Sequence, residues 1–500
     1  MEGDIMKKFS KILSAMLALL LLFSMTLLFS SCGSEEEEVT PGADGTISTE
    51  EGLPPLDVKN LGGKEMLMLW PEMHADGHYL HNELAVAESS GDVIDQAVMQ
   101  RNTVVQSAYN VKITTQTMFI SDVAKTVRNE YNGGTSTYSA LACSINNSNL
   151  IALQQEGGLA DFNSLEYYDE SQPWWNHDLM QDLSIANARY FATGDIIYSD
   201  DFYPYATFVN DKLSANSGIT VNYHDLVKNK EWTLEKFHTL AAQAQNDQVD
   251  GDPNTWSTQD INGAVINENF AKAAYYSAGK GMVAFDSKGY PVWQMDVAWT
   301  QPILEKLIGI IHNDKACFNA GQFDDHAIQE LNLFTGGKAL FLVEELIFAE
   351  RITKADAAVG FTLLPYPLYD EESEYTTVLN DSLVVCIPVV CADKEDIGLV
   401  LSAMSRESVN TLTPAFFETV LTYRYMQNPE SVETLEVILD STVAPDIATI
   451  KKWGKFMEQF KILAFANSTD FASYHRQNIG KAMGELEAYS VLLDNFYANK

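Results

Sequence analysis

"SALACSINNSNLIALQQEGG" (residues 139–158) is the stretch that sets the fold class. "SALACSI" is a short run of small and apolar residues with no clear polar side, so it reads as a strand buried on both faces. "NLIALQQEGG" then places Leu150, Ile151 and Leu153 at helical spacing and ends at Gly157 and Gly158, a natural helix stop. A buried strand that turns directly into a helix is the unit of an open α/β sheet, whose helices cover its faces.

The unit recurs on both sides. Upstream, "KEMLMLW" (residues 64–70) is a strand, and residues 92–111 place Val93, Ile94, Ala97, Val98, Val104, Val105 and Ala108 on a helix face. "VKITTQTMF" alternates like a strand, and "DVAKTVRNEYNGG" is a second helix. Downstream, "YATFVN", "GMVAFD", "KALFLV", "AVGFTLLP" and "SLVVCIPVV" read as strands. Helices follow the same logic in "TLEKFHTLAAQAQ", "PILEKLIGIIHN", "DIGLVLSAMSRES", "SVETLEVILDST" and "IGKAMGELEAYSVLLDNFY". The expectation is an α/β fold with mainly parallel sheets. The chain has 500 residues, too many for one core, so two lobes are expected.

The N-terminus has a different character. Lys7, Lys8 and Lys11 precede an apolar run from Ile12 to Phe29, followed by Ser30, Ser31 and Cys32. That layout is a secretory signal peptide over residues 1–31. The cysteine after small residues resembles a bacterial lipobox, which implies cleavage before Cys32 and acylation of its thiol. An N-terminal membrane-spanning anchor is the alternative. Residues 32–59 hold almost no large apolar side chain and read as a disordered tether.

A formal net charge of −37 repels phosphate backbones and disfavours nucleic acid as a partner. A neutral ligand fits such a surface most easily. Cys143, Cys317, Cys386 and Cys391 sit in apolar flanks and read as buried thiols, with a Cys386–Cys391 disulfide as the alternative. Nucleophile-elbow, zincin, phosphate-loop and dinucleotide motifs are all missing. His74, His78 and His81 cluster in one loop, where Gly77 argues against a shared helix face. Residues 246–263 have the flavour of a calcium loop, but the twelfth position is Ser257 rather than an acid. Neither catalytic residue, metal nor cofactor is expected. "SQPWWNHDL" (residues 171–179) offers adjacent indoles, Trp174 and Trp175, as a sugar platform or as packing. Pro173 fixes the turn, so at most one of them would face a ligand.

Several stretches together resemble a known family. They are residues 159–196, ending in "TGDI"; "FVNDKLSANSGI" followed by "YHDLVKNKEWTLEKFHTLAAQAQ"; "FTGGKALFLVEEL"; and "VGFTLLPYP". In this order they resemble the bacterial extracellular solute-binding proteins of ABC importers, of the maltose-binding-protein-like class. Asp211 departs from the family's asparagine–lysine turn, while Trp232 and Thr233 fit its helix start.

The resemblance implies a two-lobed fold with a ligand cleft between lobes. Lobe one would comprise residues 60–202 and 367–407, and lobe two residues 206–360 and 412–500. It further implies a monomeric, lipid-anchored receptor on the extracellular face of the membrane, handing a carbohydrate, an oligosaccharide by preference, to permease subunits. A peptide, polyol or cationic solute, a sensory role, and a surface glycoside hydrolase are the alternatives.

Ligands of parallel sheets lie at the carboxyl ends of strands. That rule points to Trp70, Glu72 and His74 after the first strand, and to Ser144, Asn146 and Asn147 after "SALACSI". Asp200, Asp201 and Tyr203 lie at the first crossing, and Glu344 and Glu345 follow "KALFLV". By resemblance, "INENF" adds Asn267, Asn269 and Phe270.

Overall fold

The computed structural model describes residues 53–54, 56–72, 81–86, 88, 91–185, 187–249, 257–417 and 429–498. The signal segment, Cys32, His74, His78, most of the tether and residues 250–256 of the calcium-like loop lie outside the described residues.

Two sheets organise the unit that begins at Ile47. Nine strands build them: β1 (Lys64–Glu72), β2 (Val111–Phe119), β3 (Ala140–Ser144), β4 (Tyr205–Asn210), β5 (Asn262–Ile266), β6 (Cys317–Asn319), β7 (Ala339–Glu345), β8 (Phe361–Pro365) and β9 (Leu383–Cys386). The first sheet runs β9-β3-β1-β2 and the second β8-β4-β7-β5-β6. Every residue of β3, β5 and β7 is buried, as continuous apolar runs covered on both faces require.

The sheets are mixed rather than mainly parallel. β9 lies antiparallel to β3, and β4 antiparallel to β7 and β8. The cause is the chain's passage between sheets. β4 enters at Tyr205, opposite the end of β7 at Glu345, and β9 enters at Leu383, opposite the end of β3 at Ser144. A strand that arrives at the edge where its neighbours finish must run against them.

The two passages pair with each other: Pro204 and Leu379 form an antiparallel bridge. Leu368 exchanges backbone bonds with Trp232 and Leu234, and Thr377 and Leu379 donate to Ser441 and Val443. So residues 368–379 stay with the elements around the second sheet, and the chain joins the first sheet at Leu383. "SLVVCIPVV" pairs as a strand only over its first part. Pro388, which has no N–H to donate, makes a single bridge to Leu159. "GMVAFD" lies outside both sheets, in a hairpin of Val283–Phe285 with Pro291–Trp293.

Trp174 and Trp175 are both buried, at 1% and 3% exposure, within the core on the first sheet. Trp175 forms a bridge with Gly194. At φ +123° Gly194 lets the two segments close, since a Cβ there would lie 2.5 Å from the Trp174 carbonyl oxygen. The pair is packing and presents neither indole to a ligand.

Candidate ligand cleft

The strand ends define the site. β1, β3, β5, β7 and β8 finish, and β4 and β9 begin, at the edges where the chain passes from one sheet to the other. Polar side chains converge there because the passages place loops from both sheets side by side.

Asn380 is the hub. Its backbone N–H donates to the Tyr203 carbonyl at 3.2 Å, and its side-chain N–H to Glu345 Oε1. Its side-chain oxygen accepts from Lys272 Nζ, and its carbonyl accepts from the Asn146 side chain. Beside it, the Ser144 hydroxyl donates to Asp381 and accepts from Asn146 N–H at 3.0 Å. One short segment thus ties the end of β3 to the end of β7 and to helix Asn269–Ser277. Burial, with Lys461 nearby, pulls Lys272 down to about 8, against the pull of Glu345, Asp381 and Glu344.

Deeper in the second sheet's domain Asn267 donates to Glu330 Oε1 at 3.0 Å and to Glu344. Both glutamates are buried. Burial pushes Glu330 up to about 7, and burial with Glu330 and Glu345 nearby pushes Glu344 well above the carboxylate range. Glu330 Oε2 receives no hydrogen from any described donor. Two carboxylates facing each other in a dry site hold a proton between them, so at neutral pH one of the two is a carboxylic acid.

A second, small concave region of about 20 Å³ lies between the same two domains. Ile145, Gln154, Asp182 and Phe191 line it from the first domain; Phe285, Ile447, Ile450 and Tyr489 line it from the second. Burial raises Asp182 to about 6, although the Ala444 N–H donates to its carboxylate at 3.3 Å from across the cleft.

The sequence-expected residues divide. Ser144, Asn146, Tyr203, Asn267, Glu344 and Glu345 all belong to the polar seam or to the glutamate pair below it. Asn147 caps helix Ser148–Gln155, accepting from Asn149 and Leu150 N–H. Asn269 accepts from Lys461 at 3.1 Å. Asp200 is buried beneath the first passage, bonded to Asn176 at 2.9 Å, with burial raising it to about 6. Asp201 is half-buried, and burial with Asp200 alongside raises it well above its ordinary value.

Trp70 does not reach the cleft. Strand alternation puts it on one face with Met66 and Met68, in the core. Phe270 is likewise core, packed on Phe237 and Tyr366 at 5.6 and 5.5 Å between ring centres. Glu72 is exposed at the end of β1, and His74 lies outside the described residues.

Sequence reasoning missed Asn380, Asp381, Lys272 and Glu330, as well as the whole of the Gln154–Asp182 pocket. The "LND" tripeptide before a buried strand was the available signal for the first two.

Two mixed sheet domains facing each other across a cleft place the chain in a class: it has the two-lobed α/β fold of the solute-binding proteins of ABC importers. The cyclic α-maltosyl-1,6-maltose-binding protein of Arthrobacter globiformis matches with a TM-score of 0.58 and 13% identity, over 87% of this chain and 100% of that one. An ABC substrate-binding protein from Listeria monocytogenes, in complex with cycloalternan, matches at 0.56 and 14%, over 84% and 99%. A solute-binding protein from Thermotoga lettingae, bound with α-D-tagatose, matches at 0.53 and 12%, over 86% and 100%. At these identities the likeness is one of fold. No family model and no curated relative matches the sequence. Among the described residues, no helix is long and apolar enough to cross a membrane.

Proposed function

We propose that this protein is a solute receptor that captures a carbohydrate between its two lobes for an ABC importer, and that it binds rather than converts its ligand. The observation that carries the reading is the cleft itself. Strand ends from two sheets face one another and place hydrogen-bonding side chains around Asn380. The sugar-binding functions of the proteins that share the fold support it. So does a charge of −37, which suits a neutral ligand.

On this reading the lobes comprise residues 60–202 and 206–360 with their C-terminal returns. The backbone bonds of residues 368–379 favour placing the second crossing near Asn380. Glu72, Asn146 and Glu345 contact the solute at the seam. Ligand bridging the lobes stabilises the closed state by differential contact. A thiol-acylated Cys32 holds the receptor at the extracellular face of the membrane, the tether lets it move, and permease subunits receive the cargo from a monomer.

The acid pairs do not favour a cationic solute. Asp200 already accepts from Asn176, Glu344 from Asn267 and Glu345 from Asn380.

A calorimetric screen of neutral sugars, peptides and polyamines tests the reading. Binding of a sugar is the expected result; binding of a peptide or polyamine with no response to any sugar overturns it.

A further inference from the structure

We infer that Pro54 and residues 56–64 form a strap that fastens helix Lys394–Ser408 to the first lobe, and that this strap stiffens the chain's last passage between the lobes, residues 409–416. The inference rests on the two-lobed fold and is independent of which solute the cleft takes.

The course of the strap is fixed at both ends of the helix. Lys64 pairs with Asp393 and Asp396, at 2.8 and 2.5 Å, and Lys59 pairs with Asp396 at 2.6 Å. These acids stand at the helix start, with Asp393 as its N-cap. At the other end the Pro54 carbonyl accepts from Arg406 Nε at 2.8 Å. The strap therefore runs antiparallel to the helix. From Asp396 to Arg406 the helix rises about 15 Å, and Pro54 to Lys59 spans at most about 17 Å when extended. An extended segment suits the distance between the two anchors.

A second set of contacts holds the strap to the end of helix Val93–Tyr109. Leu61 is buried in the core on the first sheet, and its N–H donates to the Tyr109 carbonyl at 2.7 Å. Gly63 N–H donates to the Asn110 carbonyl at 2.7 Å, and the Asn110 side chain donates to Asn60 at 2.9 Å. Leu56 packs on the same core. The strap thus takes in residues 56–59, which the sequence placed in the tether.

Arg406 carries the link to the passage. It is buried, and its guanidinium also donates to Glu407 Oε1 at 2.6 Å. The Glu407 carbonyl accepts from the Thr411 hydroxyl at 2.7 Å, and the Ser408 hydroxyl accepts from Arg101. Beyond them the Thr413 hydroxyl donates to Asp195 at 2.6 Å, and Phe416 stacks on Tyr198 at 4.4 Å between ring centres. Exposed ion pairs such as Lys59–Asp396 contribute little alone. The Pro54 carbonyl matters more, because lifting it away leaves a buried charged donor without its acceptor. The last turn of the helix then loses a fixed side chain just where the passage begins. With the strap in place, a hinge motion is absorbed by residues 409–416 rather than by fraying of the helix. On the tethered reading, a pull on the N-terminal segment reaches the first lobe beside this passage, so the second lobe is the one that swings on closure.

Amide hydrogen exchange of the whole protein, read by mass spectrometry, tests the inference. The double variant Leu56→Ser/Lys59→Glu removes an apolar contact and sets a carboxylate against Asp396, so it should release the strap. Exchange in residues 405–416 should then rise about tenfold, together with exchange in 56–64, while β5 and β7 keep their protection. The conservative pair Leu56→Ile/Lys59→Arg should keep the protection of 405–416. Lys112→Glu, which breaks an exposed pair with Glu65 and makes the same charge change on the same lobe, should also leave 405–416 unchanged. Faster exchange confined to residues 56–64, or no change in either segment, overturns the inference. So does an equal rise in 405–416 in the Lys112→Glu protein, since charge alone would then be the cause.

Discussion

Two buried polar centres, one in each lobe, solve the same problem in opposite ways. In the first lobe Arg101 is fully buried, and its guanidinium donates to the Glu83, Leu84 and Ile196 carbonyls, to Asn102 Oδ1 and to the Ser408 hydroxyl, at 2.7 to 3.3 Å. A rigid fork of donors meets a ring of acceptors. Glu83 completes the centre by accepting from Tyr198 N–H and the Ser199 hydroxyl, which pins the start of the first passage. In the second lobe Glu330 and Glu344 set acceptor against acceptor and need a proton to coexist. The first arrangement fixes a fold, although burial also lifts Glu83 there to about 8. The second sets two carboxyls against each other beside the seam that joins the lobes. A saturated centre is structural, whereas an unsaturated one near a cleft points to function.

Replacing Arg101 by alanine should have the largest effect. Five bonds vanish together and buried carbonyls lose their donors, so a loss of about 4 kcal/mol in urea unfolding is expected. A loss below about 1 kcal/mol would show that water substitutes for the guanidinium and that the contrast is weaker than drawn. Trp175→Ala should cost about 3 kcal/mol, because a buried indole leaves a cavity, with sugar affinity unchanged. Lost affinity at constant melting temperature would return the indole to the ligand site.

Glu330→Gln sharpens the other side. The folded state holds Glu330 at about 7, above its ordinary 4.5, so it binds more protons than the unfolded chain between those values. The stability this proton provides is complete below pH 4.5 and is lost as pH rises through 7. The amide donates to Glu344 at any pH. Wild type and variant should therefore match near pH 4.5 and diverge by about 2 kcal/mol in the variant's favour by pH 8, in paired urea titrations. Parallel curves would mean that the pair holds no shared proton. Gln154→Leu is the smallest effect, a gain of about 1 kcal/mol in the ligand-free protein, because it removes an acceptor without a donor. A loss of stability there would mean that the amide already has a partner.

The sequence showed β3 and β7, which are apolar or small runs up to their last residues, but not β5, whose Asn262 and Gly263 belong to the stretch read as a calcium-like loop. It did not show β6, whose three residues are too few to carry a period. Strand direction was also hidden, because it depends on which edge the chain enters by. At the site, residues at or just past a strand end were readable: Asn146 lies two residues beyond β3 and Glu345 closes β7. Trp70 misled because proximity to a strand end does not fix which way a side chain points, and Phe270, placed by resemblance, is buried in the core. Asn380 was invisible for another reason. Its partners Asn146 and Lys272 are 234 and 108 residues away, and only the folded crossing brings them together. Gln154 was masked by its own helix, where a polar residue at the C-terminal turn reads as solvent-facing.

The central claim is that a neutral carbohydrate bridges the lobes. Thermal unfolding of the intact protein with a panel of sugars at graded concentrations tests it most directly. A bound sugar at one hundred times its dissociation constant should stabilise the folded state by about 2.7 kcal/mol and raise the melting temperature accordingly. An unchanged melting temperature across every sugar, with a clear rise in the presence of a peptide or polyamine, would contradict it.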